Sequence, residues 1–247
     1  MRKLACMVMS FAVALSTFGE EPTKKDGELT EGVGILKQAA AAMQKARPVS
    51  YKADYKATGW VTAFVPNVEG TAVVGEQSQH KIDRFFCQVK IRPTGSSDVL
   101  EYAGGSDGDV FFLVDPKTKT CHQDLDPAVL GSQGRNLQRI VVREFSAPEP
   151  FAEVFQSGTV ELKGSKTVGE EDCYELHVKP KEPPEVFWSI SKKDFLPRRI
   201  TRVIKNQQGE ATTELTLSNI AANLKFVKNP FELVCAEGFK KTDEFAP

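Results

Sequence analysis

Hydrophobic and polar positions change their period twice along this chain. Leu36, Ala39, Ala40 and Met43 fall at i, i+3, i+4 and i+7, one apolar stripe on a helix. Pro48 ends that helix, expected over 31–47, because a prolyl ring lacks the N–H and collides with the preceding turn. From Tyr51 the period drops to two. Tyr51, Ala53, Tyr55 and Ala57 alternate with Lys52, Asp54 and Lys56, the mark of a half-buried strand. Residues 70–78 and 80–92 continue as strands, with Phe85, Cys87, Val89 and Ile91 on one face of the second. Gly104-Gly105-Ser106-Asp107-Gly108 reads as a turn into an apolar strand at Val110–Val114. Asp115-Pro116-Lys117-Thr118 then turns the chain into a strand through Cys121.

Helical spacing returns in the middle, over 132–155. Ser132 is placed to cap a segment in which Leu137, Ile140, Val141 and Phe145 form a stripe. Beyond Pro148 and Pro150, Phe151, Val154 and Phe155 make a second short apolar face. Strands resume at Thr159–Gly164, Cys173–Lys179 and Glu185–Ser191. Ile200–Lys205 and Ala211–Leu217 flank a hairpin turn at Asn206-Gln207-Gln208-Gly209. The stretch from Phe226 to Phe239 is apolar but broken by Asn229-Pro230 and Gly238. Short strands joined by tight turns predict a mainly β, α+β fold. Its core is an antiparallel meander that curls into a barrel or half-barrel.

The first residues have the build of a secretory signal. Arg2 and Lys3 precede the uncharged run Leu4–Leu15, and small residues follow at Ser16, Thr17 and Gly19. Cleavage is expected after Gly19, with Cys6 discarded inside the signal. A flexible leader over 20–30, one domain over 31–240 and a tail over 241–247 would follow, exported to a periplasmic or extracellular space. Losing Arg2 and Lys3 takes the formal net charge from −1 to about −3, with both signs interspersed, which argues against a nucleic-acid partner. Cys87, Cys121, Cys173 and Cys235 remain. In an oxidising compartment that even count fits two disulfides, with three pairings open.

Candidate chemistry is sparse. No nucleophile elbow, zincin helix, phosphate loop or dinucleotide fingerprint is present. Cys121 and His122 are strand neighbours that point to opposite faces. Cys173, Glu175 and His177 share a strand face, but residues two apart sit nearly 7 Å from one another, too far for one strand to close a metal site. That face is expected to be solvated, or to carry a disulfide, with Tyr174, Leu176 and Val178 toward the core. No cofactor, metal or catalytic residue is expected. Lys192, Lys193, Arg198, Arg199 and Arg202 form a basic surface cluster suited to an anionic headgroup or acidic partner. Among the aromatics (Tyr55, Trp60, Phe64 and Phe195 included), Phe85, Phe112, Phe151, Phe155 and Trp188, with Val141 and Phe145, are candidates to line a ligand cavity.

"GDVFFLVDPKTKT" (Gly108–Thr120) and "WSISKKDFLPRRITRV" (Trp188–Val203) resemble strand–turn–strand segments of the lipoprotein-carrier, LolA/LolB-like superfamily. The order of helix, meander, helical insertion and further strands over 31–235 is similar as well. This resemblance implies a curved antiparallel sheet, an unclosed barrel covered by the N-terminal and mid-chain helices, whose apolar concave face accepts acyl chains. It makes the first expectation a non-enzymatic envelope carrier of a lipid, a lipoprotein acyl chain or another apolar small molecule. The second is a scaffold with a filled core that docks another envelope protein. "GFKKTDEFAP" at the end resembles the linker that joins such a domain to a thioredoxin-like one in some envelope proteins.

Overall fold

The computed structural model describes residues 30–181 and 184–244. The expected signal, residues 20–29 of the leader and the last three residues of the tail lie outside the described residues. Helix α1 (Glu31–Lys45) starts at Thr30, whose hydroxyl accepts the Val33 N–H at 3.4 Å. Glu31 in its first turn and Lys45 in its last both suit the helix dipole. Ile35, Leu36, Ala39 and Met43 are buried, so the stripe is as expected except that Ile35 replaces Ala40 as a fully buried member.

Twelve strands form one sheet: β1 (Val49–Thr58), β2 (Asn67–Val74), β3 (Phe85–Arg92), β4 (Leu100–Ser106), β5 (Phe111–Asp115), β6 (Thr120–Asp124), β7 (Thr159–Val168), β8 (Glu171–Lys179), β9 (Glu185–Ser191), β10 (Pro197–Asn206), β11 (Gly209–Ala221) and β12 (Lys240–Thr242). The spatial order is β12-β6-β5-β4-β3-β2-β1-β11-β10-β9-β8-β7. Two antiparallel meanders, β1 to β6 and β7 to β11, are thus joined where β1 pairs with β11. Strands β7 and β12 are the outer edges and do not pair with each other, so the barrel is unclosed. This topology also places the cover. The chain leaves the sheet at β6, near one edge, and re-enters at β7, the other, so the connection from 125 to 158 must cross a face of the sheet.

One face is the core. Val49, Tyr51, Ala53 and Tyr55 of β1 line up with Val68, Ala72 and Val74 of β2 and with Phe85, Cys87, Val89 and Ile91 of β3. On the other side of β1 the row runs through Leu215 and Leu217, Ile200, Trp188 and Leu176. Alternation at period two delivers all of these to one side, and α1 and the 125–158 connection pack on it.

Several local expectations fail for identifiable reasons. Gly104 and Gly105 belong to β4, and the turn comes after them at 107–110. A Cβ on Gly104 would stand 2.7 Å from Leu137, and one on Gly105 would stand 2.0 Å from the Phe85 carbonyl oxygen. These glycines therefore permit close packing inside a strand. Strands expected at 70–78 and 80–92 shrink to β2 and β3, because Ser78 turns the chain between them by accepting the His80 and Ile82 N–H groups. The mid-chain helix is broken into short pieces. Ser132 lies inside a 3-10 turn (Pro127–Gln133) capped by Asp126, and does not cap a helix of its own.

Candidate functional site

The cover comprises that 3-10 turn, α2 (Gly134–Arg139), a second 3-10 turn (Arg143–Phe145) and α3 (Ala152–Ser157). Gly131 kinks the first turn at φ 53°, ψ −148°, a backbone that glycine adopts without strain. Val129, Leu130, Leu137, Ile140, Val142 and Phe145 point from the cover into the core and are buried. Polar clamps hold it down. The buried Tyr51 hydroxyl donates to the Ile140 carbonyl at 3.0 Å and accepts the Val142 N–H at 2.9 Å. Asp83, on the β2–β3 connection, accepts from Arg143 (3.0 Å), Ser146 Oγ (2.7 Å) and Gln77 (3.0 Å). Gln44 and Arg47, at the end of α1, donate to the Pro148 and Ala147 carbonyls.

Five of the seven cavity candidates meet beneath this cover. Phe85, Val141, Phe145, Phe151 and Trp188 share one buried cluster, with Phe151 edge-on to Trp188 at 4.9 Å. Phe155 is instead 38% exposed, with its ring edge-on to Phe151 at 6.5 Å. Phe112 lies on the opposite face of the sheet. It is buried outside the cluster and stacks on Phe86 at 6.3 Å, whereas its neighbour Leu113 faces the cover. Phe112 was expected to line the cavity, but alternation along β5 gives that side to Leu113 and turns Phe112 to the other face.

The expected basic cluster disperses. Arg198 is buried, held by Glu171 at 2.8 Å and Asp194 at 2.7 Å. The Arg198 bond, helped by Ser191, holds Glu171 below the usual carboxylate range. Arg199 faces Glu214, Lys192 lies over the Tyr174 ring, and Arg202 projects from β10 on the concave side. The face with Cys173, Glu175 and His177 is not simply solvated. Cys173 and His177 are buried, and His177 stacks on Phe187 and bonds Glu185 at 2.8 Å. Among the described residues no cluster of three metal-ligating side chains occurs.

One disulfide forms, Cys121–Cys235, while Cys87 and Cys173 are free and buried. Two bridges were expected, but β3 and β8 are six strand spacings apart, about 29 Å measured along the curved sheet, and Cys87 faces the core while Cys173 is on the other face, so the two do not meet. Burial pushes both free thiols up from their ordinary range. The bridge ties down a C-terminal strap that the sequence left unassigned. It leaves the sheet at Asn223, seats Phe231 against Gly75, and ends as β12, parallel to β6.

Three further features had no signal in the sequence, two on the concave side and one on the outer face. Arg139, in the last turn of α2, lies 5.6 Å over the Tyr55 ring, and its Nε has no hydrogen-bond partner. Burial lifts the Glu144 carboxyl above its usual range, against the opposing pull of Arg202 and Arg143. An open depression of about 820 Å³ lies on the outer face. There Lys52, Asp54, Glu69, Lys90 and Glu101 surround Thr71.

No protein-family model matches the chain, and no curated protein matches its sequence. Among solved structures it is similar to LprF from Mycobacterium bovis (11% identity, 81% of this chain, 96% of that chain, TM-score 0.47). It is also similar to the Pseudomonas aeruginosa MucA/MucB complex structure (10% identity, 81% of this chain, 60% of that chain, TM-score 0.44). A LolA superfamily protein from Nitrosomonas europaea matches at 10% identity over 78% of this chain and 94% of that chain, with TM-score 0.33. The unclosed antiparallel sheet with its helical cover stands on this chain's own strand order.

Proposed function

We propose that this is an exported, non-enzymatic carrier that holds an apolar ligand between the sheet and its cover. The observation that carries the reading is how the concave face is closed. Beside α1, an apolar surface that includes Val68, Val89, Ile91, Trp188 and Ile200 is sealed by helices of six residues and 3-10 turns, not by a second sheet. Such pieces are too short to be stable alone and depend on docking. An acyl chain that fills the same apolar space replaces their contacts at small net cost, so cover and ligand compete for one surface. The charged n-region and apolar run at the start of the sequence support export.

Native mass spectrometry on protein purified from exporting cells tests the reading. A carrier retains extractable lipid; protein that is always bare, and that binds no fluorescent fatty acid, refutes it. A second reading, a scaffold for another envelope protein, is favoured by the outer depression, whose charged walls are open to a partner. Charge reversal at Lys90 would abolish partner capture in a scaffold and leave lipid content unchanged in a carrier.

A further inference from the structure

Four of the nine described arginines face a carboxylate: Arg92 faces Glu69, Arg143 faces Asp83, Arg198 faces Glu171 and Asp194, and Arg199 faces Glu214. Of the rest, Arg84 and Arg135 are exposed and Arg47 donates to the Ala147 carbonyl, which leaves Arg139 and Arg202. Among the described residues neither has an ion pair within 4.0 Å, and both are half-buried on the concave side. Arg139 hangs from the cover over Tyr55, with a buried Nε–H that nothing accepts. Arg202 stands on β10 beside its pair partner Thr213, a buried hydroxyl on the same face. Tyr55 pairs with Leu215, two residues from Thr213 and one strand from Arg202. Two strand spacings and a two-residue offset put Tyr55 and Arg202 about 12 Å apart at their Cα atoms, within reach of one headgroup for two long side chains.

We infer that Arg139 and Arg202 form the site for an anionic headgroup, so that the ligand is an anionic amphiphile, not a neutral lipid. This rests on the carrier reading and adds the headgroup to it. A half-buried guanidinium without an acceptor is an unfavourable arrangement in the free protein, and a carboxylate or phosphate supplies the missing partner with charge-assisted bonds. The two charges come from opposite walls, one from the cover and one from the sheet. A headgroup between them therefore fixes the position of the cover over a chain already seated beneath it. Glu144 is the carboxyl that faces Arg202, and its burial disfavours the ionised form, so it competes weakly with a ligand anion. Tyr55 and Thr213 add hydroxyls at the same end of the trough.

The test compares cis-parinaric acid with its methyl ester, which has the same chain and no charge, on the full chain. The unmodified protein is expected to bind the acid about tenfold or more tightly than the ester, the scale of one charge-assisted contact. Arg139→Gln and Arg202→Gln should each remove most of that preference and leave ester binding and thermal melting close to unchanged. Arg135→Gln, an exposed arginine on the same helix, should alter neither. Millimolar inorganic phosphate should fail to displace the acid, because the chain supplies most of the affinity; displacement would mean a site for free anions and overturn the inference. Equal affinity for acid and ester, or equal loss of both in the arginine variants, also overturns it while the carrier reading stands. Binding of neither probe by the unmodified protein removes the carrier reading itself, and the inference with it.

Discussion

Tyr51→Phe removes one oxygen from the clamp that joins the cover to the middle of the sheet. Tyr51 is 2% exposed, and its hydroxyl serves two backbone groups at once, the Ile140 carbonyl and the Val142 N–H. Burial pushes its phenol far above the ordinary value, so the group remains a proton donor at any pH the fold survives. The ring is retained by the substitution, and with it the packing on Phe145 at 5.8 Å. What is lost is two hydrogen bonds of about 1 kcal/mol each, and a buried N–H is left without a partner at a cost of about 1–3 kcal/mol. These overlap, and a net loss of about 2–3 kcal/mol follows. For a domain of this size that corresponds to a drop of about 4–12 °C in melting temperature. Urea unfolding and calorimetry measure it, and hydrogen exchange locates it. Amides at 140–145 should exchange faster in the variant while those of β1 and β2 stay protected. A loss below about 0.5 kcal/mol, with 140–145 still protected, would refute the view that this hydroxyl holds the cover.

Three further outcomes follow from the same geometry. Folding favours the protonated form of Glu144, so its contribution is intact at low pH and is lost as pH rises from the ordinary carboxyl value through its raised one. Glu144→Gln should therefore be more stable than the parent at neutral pH and equal to it below that window, as read from urea midpoints against pH. Arg198→Ala strands Glu171 and Asp194, but both carboxylates are more than a third exposed. The expected loss is about 1–3 kcal/mol in place of the larger penalty of a fully buried pair. Alkylation of native protein should leave Cys87 and Cys173 unmodified, and alkylation after unreduced unfolding should label those two alone; four labels would remove the Cys121–Cys235 bridge.

The sheet was legible in the sequence because alternation at period two is long and regular in β1, β3 and β11. The Asn206–Gly209 hairpin was legible too, since Gly209 takes φ 109° as such a turn requires. The cover was legible only as apolar content. Leu137, Ile140, Val141 and Phe145 do share a buried environment, but Gly131, Gly134 and the clamps break the segment into pieces that a stripe of spacings cannot anticipate. Strand β12 has three residues and exists because Cys235 fixes the strap beside β6, a tertiary cause with no local signature. The same holds at the candidate site. Trp188 and Phe151 were found by residue type, whereas Arg139 and Arg202 acquire meaning only from what they fail to pair with. Phe112 shows the converse: an apolar run tells that a strand is buried on both faces, not which residue meets the ligand side.

The most direct test of a displaceable cover is hydrogen exchange across 127–157 with and without saturating cis-parinaric acid. A carrier is expected to bind the probe and to show changed protection throughout that segment, centred on Ile140 to Phe145, while β1, β2 and β11 remain as they were. Probe binding that leaves 127–157 unaltered, or no binding at all, would contradict it.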